Sequence, residues 1–351
     1  MKKKNINVSN LLKEYIMILV LIGLIVVFSI ICPILTNGRQ FLTWPNMMNI
    51  LGQNAYLIIA GVGITFIMLG GAMDLSTGFL LSTVGIAMTL VDNALGNSPA
   101  IFVVTLLVGI ALSVLLSGIN GAMYAWLSVF PFIITLAMQY VLNGATYLLT
   151  GGLSRTFRDL NPGFTFLGGV NIPFIGGSYV KSGVIVMIVM VIIGSFLLNK
   201  TYFGRNIYAL GSNPDAVALS GVSVAKMRIL IFAVAGIFFG IAQTVNIGRI
   251  GSASNSMGIG AEFTVMAGAM LGGVKMGGGG GKMSNMVVGV LIIAVLNQGM
   301  NFLNINQYWQ YVALGIVLLA AVTLDTMQTR AAVNAAKKVS APVIEAEEKK
   351  E

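Results

Sequence analysis

Long charge-free apolar runs, separated by short polar or glycine-rich breaks, cover most of the chain. A helix that crosses a bilayer needs about 20 apolar residues, with a range of roughly 17 to 25. By that measure the pattern predicts spans near 15–35, 50–71, 75–91, 100–121, 131–150, 182–199, 229–248, 261–274, 284–303 and 307–325. The eighth is short, and the charge-free tract 93–154 is long enough to hide a re-entrant piece. The expected fold class is an all-α integral membrane protein of about ten transmembrane helices. A single membrane domain over 15–325 is flanked by a basic segment, 1–14, and a tail, 326–351. The tail mixes Lys and Arg with Glu345, Glu347, Glu348 and Glu351 and carries too few apolar residues for a core, so it is expected to be disordered.

One interruption of this pattern is unlike the others. The stretch 199–228 brings Lys200, Arg205, Lys226 and Arg228 together against the single anion Asp215. Ser212 or Asn213 suits a helix N-cap, Pro214 the first helical position, Asp215 the positive helix end, and Gly221 the stop. A helix of barely two turns is predicted there. Ala216, Val217 and Leu219 leave it partly apolar although it lies in a loop, so it is expected to dock on a partner.

Three of the spans carry small residues at every fourth position, the spacing that lets helix backbones approach closely in lipid. They are Thr105, Gly109, Ser113, Ser117 and Gly121; Gly236, Gly240, Thr244 and Gly248; and Gly260, Thr264, Gly268 and Gly272. A tightly packed bundle is expected from them.

Composition sharpens the class. The chain is 57% hydrophobic and only 9% charged, against roughly 25% charged residues in soluble domains. Its single cysteine, Cys32, excludes an intrachain disulfide framework, and the absence of histidine removes imidazole from any metal site, proton relay or triad. No cofactor and no metal site is expected. The net charge of +9 lacks the aromatic interleaving of a nucleic-acid surface and is instead the excess that cytoplasmic loops of a membrane protein carry. With ten spans and the N-terminus inside, fifteen cations (Lys2, Lys3, Lys4, Lys13, Lys200, Arg205, Lys226, Arg228, Lys275, Lys282, Arg330, Lys337, Lys338, Lys349, Lys350) fall on the inner side and five (Arg39, Arg155, Arg158, Lys181, Arg249) outside. Both termini and the 199–228 loop are therefore expected in the cytoplasm, and 151–181 becomes the main external loop. The first span is longer than a signal peptide's apolar region of about 7 to 15 residues, and no small-residue cleavage site follows it, so it is expected to stay attached.

Candidate chemistry is sparse. The run from Gly277 to Lys282 fails the phosphate-binding pattern, because Met283 follows the lysine and Met276 takes the place of the first glycine. It reads as a flexible turn, which leaves the chain without a nucleotide site of its own. Charges within a membrane are costly and often functional. Asp74 lies at the break before the third span and Glu262 at the outer start of the eighth; capping of the helix that follows each is the alternative to a transport role. Uncharged polar residues inside the spans offer a path for a hydroxylated solute: Asn54, Thr135, Gln139, Asn143 and Asn297, with Gln53, Asn120, Gln243, Asn246 and Gln298. Interhelical hydrogen bonds account for the same residues equally well.

Taken together, the stretches 49–78, with its GG-x-x-D-L-S-x-G element, 131–152, the loop YFGRNIYALGSNPDAVALSGVSVAKMR, and 258–273 resemble the permease subunit of bacterial ATP-binding-cassette importers for ribose and related simple sugars. The resemblance implies a fold like the vitamin B12-type importer permease, usually as two subunits side by side. It implies a cytoplasmic ATPase beneath and an extracytoplasmic sugar-binding protein above, in a bacterial inner membrane. The residues Asn213 to Gly221 would then form the coupling helix that receives the ATPase's movement. Departures from the family pattern at Asn143–Gly144, Thr264 and Lys275 leave ribose unsupported over galactose, xylose, a nucleoside or another polyol-like solute.

Two rival classes are an ion-coupled secondary transporter and an intramembrane enzyme. The first usually shows inverted repeats, whereas the only echo here, LGG at 69–71 and 271–273, falls on one side of the expected topology. The second has no histidine and only Asp74 and Glu262 near the membrane.

Overall fold

The computed structural model describes residues 8–96, 98–127, 129–174, 177–323 and 325–327, with side chains from residue 16 onward. Helices dominate: α1 (Val8–Leu35), α2 (Trp44–Leu69), α3 (Thr77–Leu95), α4 (Pro99–Leu127), α5 (Pro131–Thr150), α6 (Pro162–Gly168), α7 (Ser182–Lys200), α8 (Tyr202–Ser212), α9 (Pro214–Leu219), α10 (Val224–Ile250), α11 (Ala261–Leu271), α12 (Met283–Phe302) and α13 (Gln307–Met327). Nine of them among the described residues are long and apolar enough to cross a bilayer. Helix α1 begins inside the segment expected to precede the membrane domain. Residues 328–351, most of the tail expected to be disordered, lie outside the described residues.

At the centre stands α2. Apolar on every side from Leu57 to Leu69, it is the sequence of a helix surrounded by others. Small residues let those neighbours in: a Cβ at Gly63 would meet Ala235 and Phe239 of α10, and one at Gly61 would meet Val265 of α11 and Met286 of α12. Helix α4 has the opposite character. Its buried residues are Thr105, Gly109, Ser113, Ser117, Asn120 and Gly121, the small-residue ridge and one amide, while Leu107, Leu115 and Trp126 face outward. The ridge packs on that of α10, where a Cβ at Gly236 would lie 2.7 Å from the Ser113 carbonyl oxygen and Ser117 Oγ donates to the Phe232 carbonyl at 2.7 Å.

Two short antiparallel ribbons mark one end of the bundle. β1 (Arg155–Thr156) pairs with β4 (Ser252–Ala253), and β2 (Asn171–Pro173) pairs with β3 (Tyr179–Lys181) in the register Asn171 to Lys181. The segment read from sequence as one loop is thus built structure. The second ribbon is clamped to the start of α2, where Trp44 Nε1 donates to the Tyr179 carbonyl and Lys181 Nζ to Asn49 Oδ1, both at 2.7 Å. Burial there, together with the nearby Arg249 guanidinium, holds the Lys181 ammonium below its ordinary pKa.

The eighth expected span departs most from the sequence reading. Its helix, α11, has 11 residues, about 16 Å at 1.5 Å per residue, roughly half of a 30 Å hydrocarbon core. The chain reaches that depth in non-helical form over 254–260. Asn255 Nδ2 donates to Thr150 Oγ1 at 3.0 Å, near the end of α5, and Gly258 N donates to Ser82 Oγ at 2.9 Å. Ser82 lies well inside α3, 11 residues before Asn93, whose side chain joins Thr156 and Arg158 beside the first ribbon. Irregular backbone at such depth persists only when protein encloses it, and here α3, α5 and α10 do so.

Replacing Gly236 by Ala is expected to cost about 1–3 kcal/mol, since the new methyl meets backbone that cannot rotate away. Gly118→Ala, on α4 with open space around it, is expected to leave the melting temperature unchanged or slightly raised. Thermal unfolding of the detergent-solubilised protein compares the two.

Candidate functional site

The end of the bundle opposite the ribbons carries α8 and α9. Thr201 caps α8, accepting from Gly204 N at 3.2 Å. Asn213 then serves two helices: its N–H closes α8 on the Ala209 carbonyl, and its Oδ1 accepts from Ala216 N at 3.0 Å to start α9. Pro214 follows at the first helical position and Asp215 in the first turn; Ser220 ends α9, and Gly221 makes the exit with φ +85°. Of the two residues suited to capping, Asn213 does it, while Ser212 Oγ turns back to the Tyr208 carbonyl. Six residues make α9 a single projecting knob.

Its apolar residues divide. Val217 is buried in the bundle's own core, whereas Ala216 is exposed and Leu219 is 90% exposed. Val217 holds the knob to the bundle and Leu219 faces away. Four residues after Leu219, Ser223 caps α10 by accepting from Lys226 N at 3.3 Å. The knob is therefore joined through a two-residue turn, Gly221–Val222, to the helix that packs along α4, α2 and α3.

Sequence reasoning missed α8 and the way it is anchored. Ile207 and Leu210 turn inward, and Gly211 sits on the end of α2 so closely that a Cβ would strike the Leu69 carbonyl. Gly279 N donates to that same carbonyl at 2.9 Å, and a Cβ at Gly278 would lie 2.8 Å from the Cα atoms of both Gly71 and Gly211. The glycine run read as a flexible turn is thus a built junction in which backbone meets backbone. Tyr208 Oη donates to the Gly281 carbonyl at 2.8 Å, and burial raises its hydroxyl above the ordinary pKa against the opposing pull of Lys282. The apolar spacing Phe203, Ile207, Leu210 was the available signal for α8.

A second cluster lies deeper. Asp74 is fully buried; its Oδ1 accepts from Ser76 N at 2.9 Å and from Ser76 Oγ at 2.6 Å. Ser76, not Asp74, occupies the cap position of α3. Asn120 Nδ2 donates to Ser76 Oγ at 2.8 Å, and Leu75 N donates to Thr135 Oγ1 at 3.1 Å. Glu262, buried at the start of α11, points at α3: a Cβ on Gly78 would overlap its Oε2. The structure therefore brings Asp74, Thr135 and Glu262 into one region, with Ser76, Gly78, Asn120 and Gly258. The sequence reading set Asp74 and Glu262 toward opposite sides of the membrane, because it counted α11 as a full crossing.

The other predicted pathway residues stand apart. Asn54 Nδ2 donates to the Ile50 carbonyl of its own helix, Gln139 and Asn143 lie half-buried farther along α5, and Asn297 is half-buried on α12.

A bundle of long apolar helices with a broken crossing at its centre and a projecting knob at one end is the build of a multi-pass membrane protein. The family model described as the branched-chain amino acid transport system / permease component matches residues 46–322, and the chain belongs to that family. It is 31% identical over 320 residues to the galactose/methyl galactoside import permease protein of Escherichia coli (strain K12), covering 87% of this chain and 93% of that one. With the ribose import permease protein of the same strain it shares 32% over 311 residues, 87% of this chain and 92% of the other. The xylose transport system permease protein of Haemophilus influenzae is 30% identical over 379 residues, 93% and 98% of the two chains. No solved structure matches the chain significantly. The protein is accordingly a permease subunit of an ATP-binding-cassette importer of the inner membrane, with ATP hydrolysis and solute capture assigned to partners, and the ion-coupled reading falls.

Asn213→Ala is expected to remove the cap from α9 at a cost of about 1 kcal/mol, and Asn213→Asp to retain it. Hydrogen exchange at the Ala216 amide is the readout, faster by roughly fivefold in the alanine variant and unchanged in the aspartate variant.

Proposed function

We propose that this chain forms the path by which a simple sugar enters the cell, delivered from outside by a binding protein and released when an ATPase drives the permease from below. The knob α9 is the surface on which the ATPase acts, with Asn213, Pro214 and Asp215 setting its start, Ala216 and Leu219 facing the partner, Val217 anchoring it and Gly221 ending it. The observation that carries this reading is the division of α9 into a buried Val217 and a 90% exposed Leu219 on a helix joined by a short turn to α10. An apolar side chain held out from a membrane protein on so short an element suits a cleft in a partner.

Orientation follows from charge. Counted along the sequence with ten crossings, fifteen of the 20 cations would share the side of α8 and α9, which the positive-inside rule assigns to the cytoplasm; 199–228 is then the coupling loop and 151–181 is external. Two copies stand side by side, as the resemblance implies.

The solute is a simple sugar. The relatives' names specify galactose, ribose and xylose. The family description names branched-chain amino acids instead, but the individual relatives over nearly the whole chain are named for sugars. Amides and hydroxyls such as Thr135, Gln139, Asn143 and Asn297 match a hydroxylated, uncharged solute.

Leu219→Glu is expected to abolish sugar uptake in proteoliposomes holding the permease, ATPase and binding protein, while the permease inserts normally and the ATPase still hydrolyses ATP. Val217→Asp is expected to lower the yield of folded permease instead. Normal uptake by the Leu219→Glu assembly would overturn the coupling assignment.

A further inference from the structure

Where α3 and α11 begin, their backbones touch. A Cβ on Gly78 would collide with the Gly258 carbonyl, and one on Gly258 with the Gly78 carbonyl. Around this crossing, buried oxygens are in excess. Asp74 Oδ2, Glu262 Oε2 and Asn120 Oδ1 have no hydrogen-bond partner among the described residues, and their side chains are 0%, 1% and 0% exposed. Asn120 is the independent witness. Its amide nitrogen is held by Ser76 Oγ, itself bonded to Asp74, and its carbonyl oxygen is buried without a donor. All three orphans accept, and none can donate. Adding one proton to a carboxyl turns an acceptor into a donor and can satisfy two orphans at once.

The surrounding charges leave the two carboxyls without a counter-ion. Helices α2, α4, α5 and α12 and the segment 251–260 carry no Asp, Glu, Lys or Arg; α11 carries only Glu262; α3 adds Asp92 near its far end. On α10, Arg249 lies at the ribbon end, Lys226 is exposed at the opposite end, and Arg228 is held over the Tyr124 ring at 4.2 Å. Both carboxyls face the start of α3, where Asp74 bonds Ser76 and Glu262 Oε2 lies against Gly78 two residues on. Two carboxylates in a low-dielectric site without a cation cannot both stay ionised at small cost.

A cavity of about 390 Å³ opens on the α8–α9 end, lined by Gly71, Tyr124, Val129, Phe130, Pro131 and Arg228. Gly71 lies three residues before Asp74, Tyr124 one turn past Asn120, and Pro131 one turn before Thr135.

We propose that Asp74 and Glu262 hold one proton between them in this conformation and exchange it with solvent through the Tyr124–Arg228 cavity when the Gly78–Gly258 crossing opens. The proton comes from solvent hydronium, forms an O–H on one carboxyl and returns to the same side, so no net proton crosses the membrane. This goes beyond the sugar-import reading and rests on it only for a transport cycle during which the crossing can open.

Infrared spectroscopy of the full chain in lipid nanodiscs, without sugar or ATPase, tests the site independently of that reading. A carbonyl band of a buried, protonated carboxylic acid is expected at neutral pH, shifting in D2O. It is expected to be lost in Asp74→Asn and in Glu262→Gln and kept in Asp92→Asn, which removes the other buried carboxyl of α3. The wild-type spectrum decides even if a variant fails to fold: absence of the band at neutral pH overturns the proposal. So does a band unchanged in both Asp74→Asn and Glu262→Gln, or one that appears only when sodium is replaced by choline, which would make the occupant a metal cation.

Discussion

Much of this architecture depends on two glycines that meet where side chains would not fit. Gly78 lies in the first turn of α3 and Gly258 within the non-helical approach to α11, and their carbonyls leave no room for a Cβ on either segment. In lipid, every backbone polar group needs a partner inside the protein. The crossing supplies one by letting Gly258 N reach Ser82 Oγ. It also sets the depth of α11, and therefore the depth of Glu262. A residue with a side chain at either position would push 254–260 away and leave its amides unpaired.

From that crossing the bundle is stiff in one direction and articulated in another. The seam of α4 and α10 is a run of small residues with no slack, so the two helices are suited to move as one body. At the α8 end, Gly71, Gly211 and Gly278 bring the end of α2, α8 and the glycine turn into one knot. The knob α9 leaves this knot and leads straight into α10. Under the proposed coupling role, a push on Leu219 would be delivered to a helix that packs on α2, α3 and α4 together, the helices that surround Asp74 and Asn120. Packed interfaces of this kind shift between discrete arrangements in preference to deforming smoothly.

Much of this was legible in the residues. The apolar runs located the long helices, and the spacing of Thr105, Gly109, Ser113, Ser117 and Gly121 marked the face that α4 buries, because close approach in lipid has a compositional signature. The Asn213–Pro214–Asp215 order announced the start of α9 for local reasons that tertiary structure does not override. Four features were not legible. Hydropathy cannot tell a polar loop from a polar segment enclosed by protein, so GSASNSMGIG over 251–260 read as an external connection and Glu262 as lying at the outer surface. The run 277–281 read as flexible, because glycine signals freedom in isolation and close contact only when its neighbours are known. Helix α8 was hidden by its mixed composition, Arg205 and Asn206 beside Ile207 and Tyr208, which resembles loop until Leu69 and Gly279 appear against it. The cluster of Asp74, Asn120 and Glu262 joins residues from three separate regions of the chain, and spacing carries no information about such a meeting.

The central claim is that this subunit supplies a path and a lever but no motor. Solute accumulation in proteoliposomes tests it most directly, comparing the permease alone, under imposed sodium and proton gradients, with the permease joined by its ATPase and binding protein and supplied with ATP. The account expects uphill uptake only in the complete assembly with ATP. Uphill uptake by the permease alone, driven by either gradient, would contradict it.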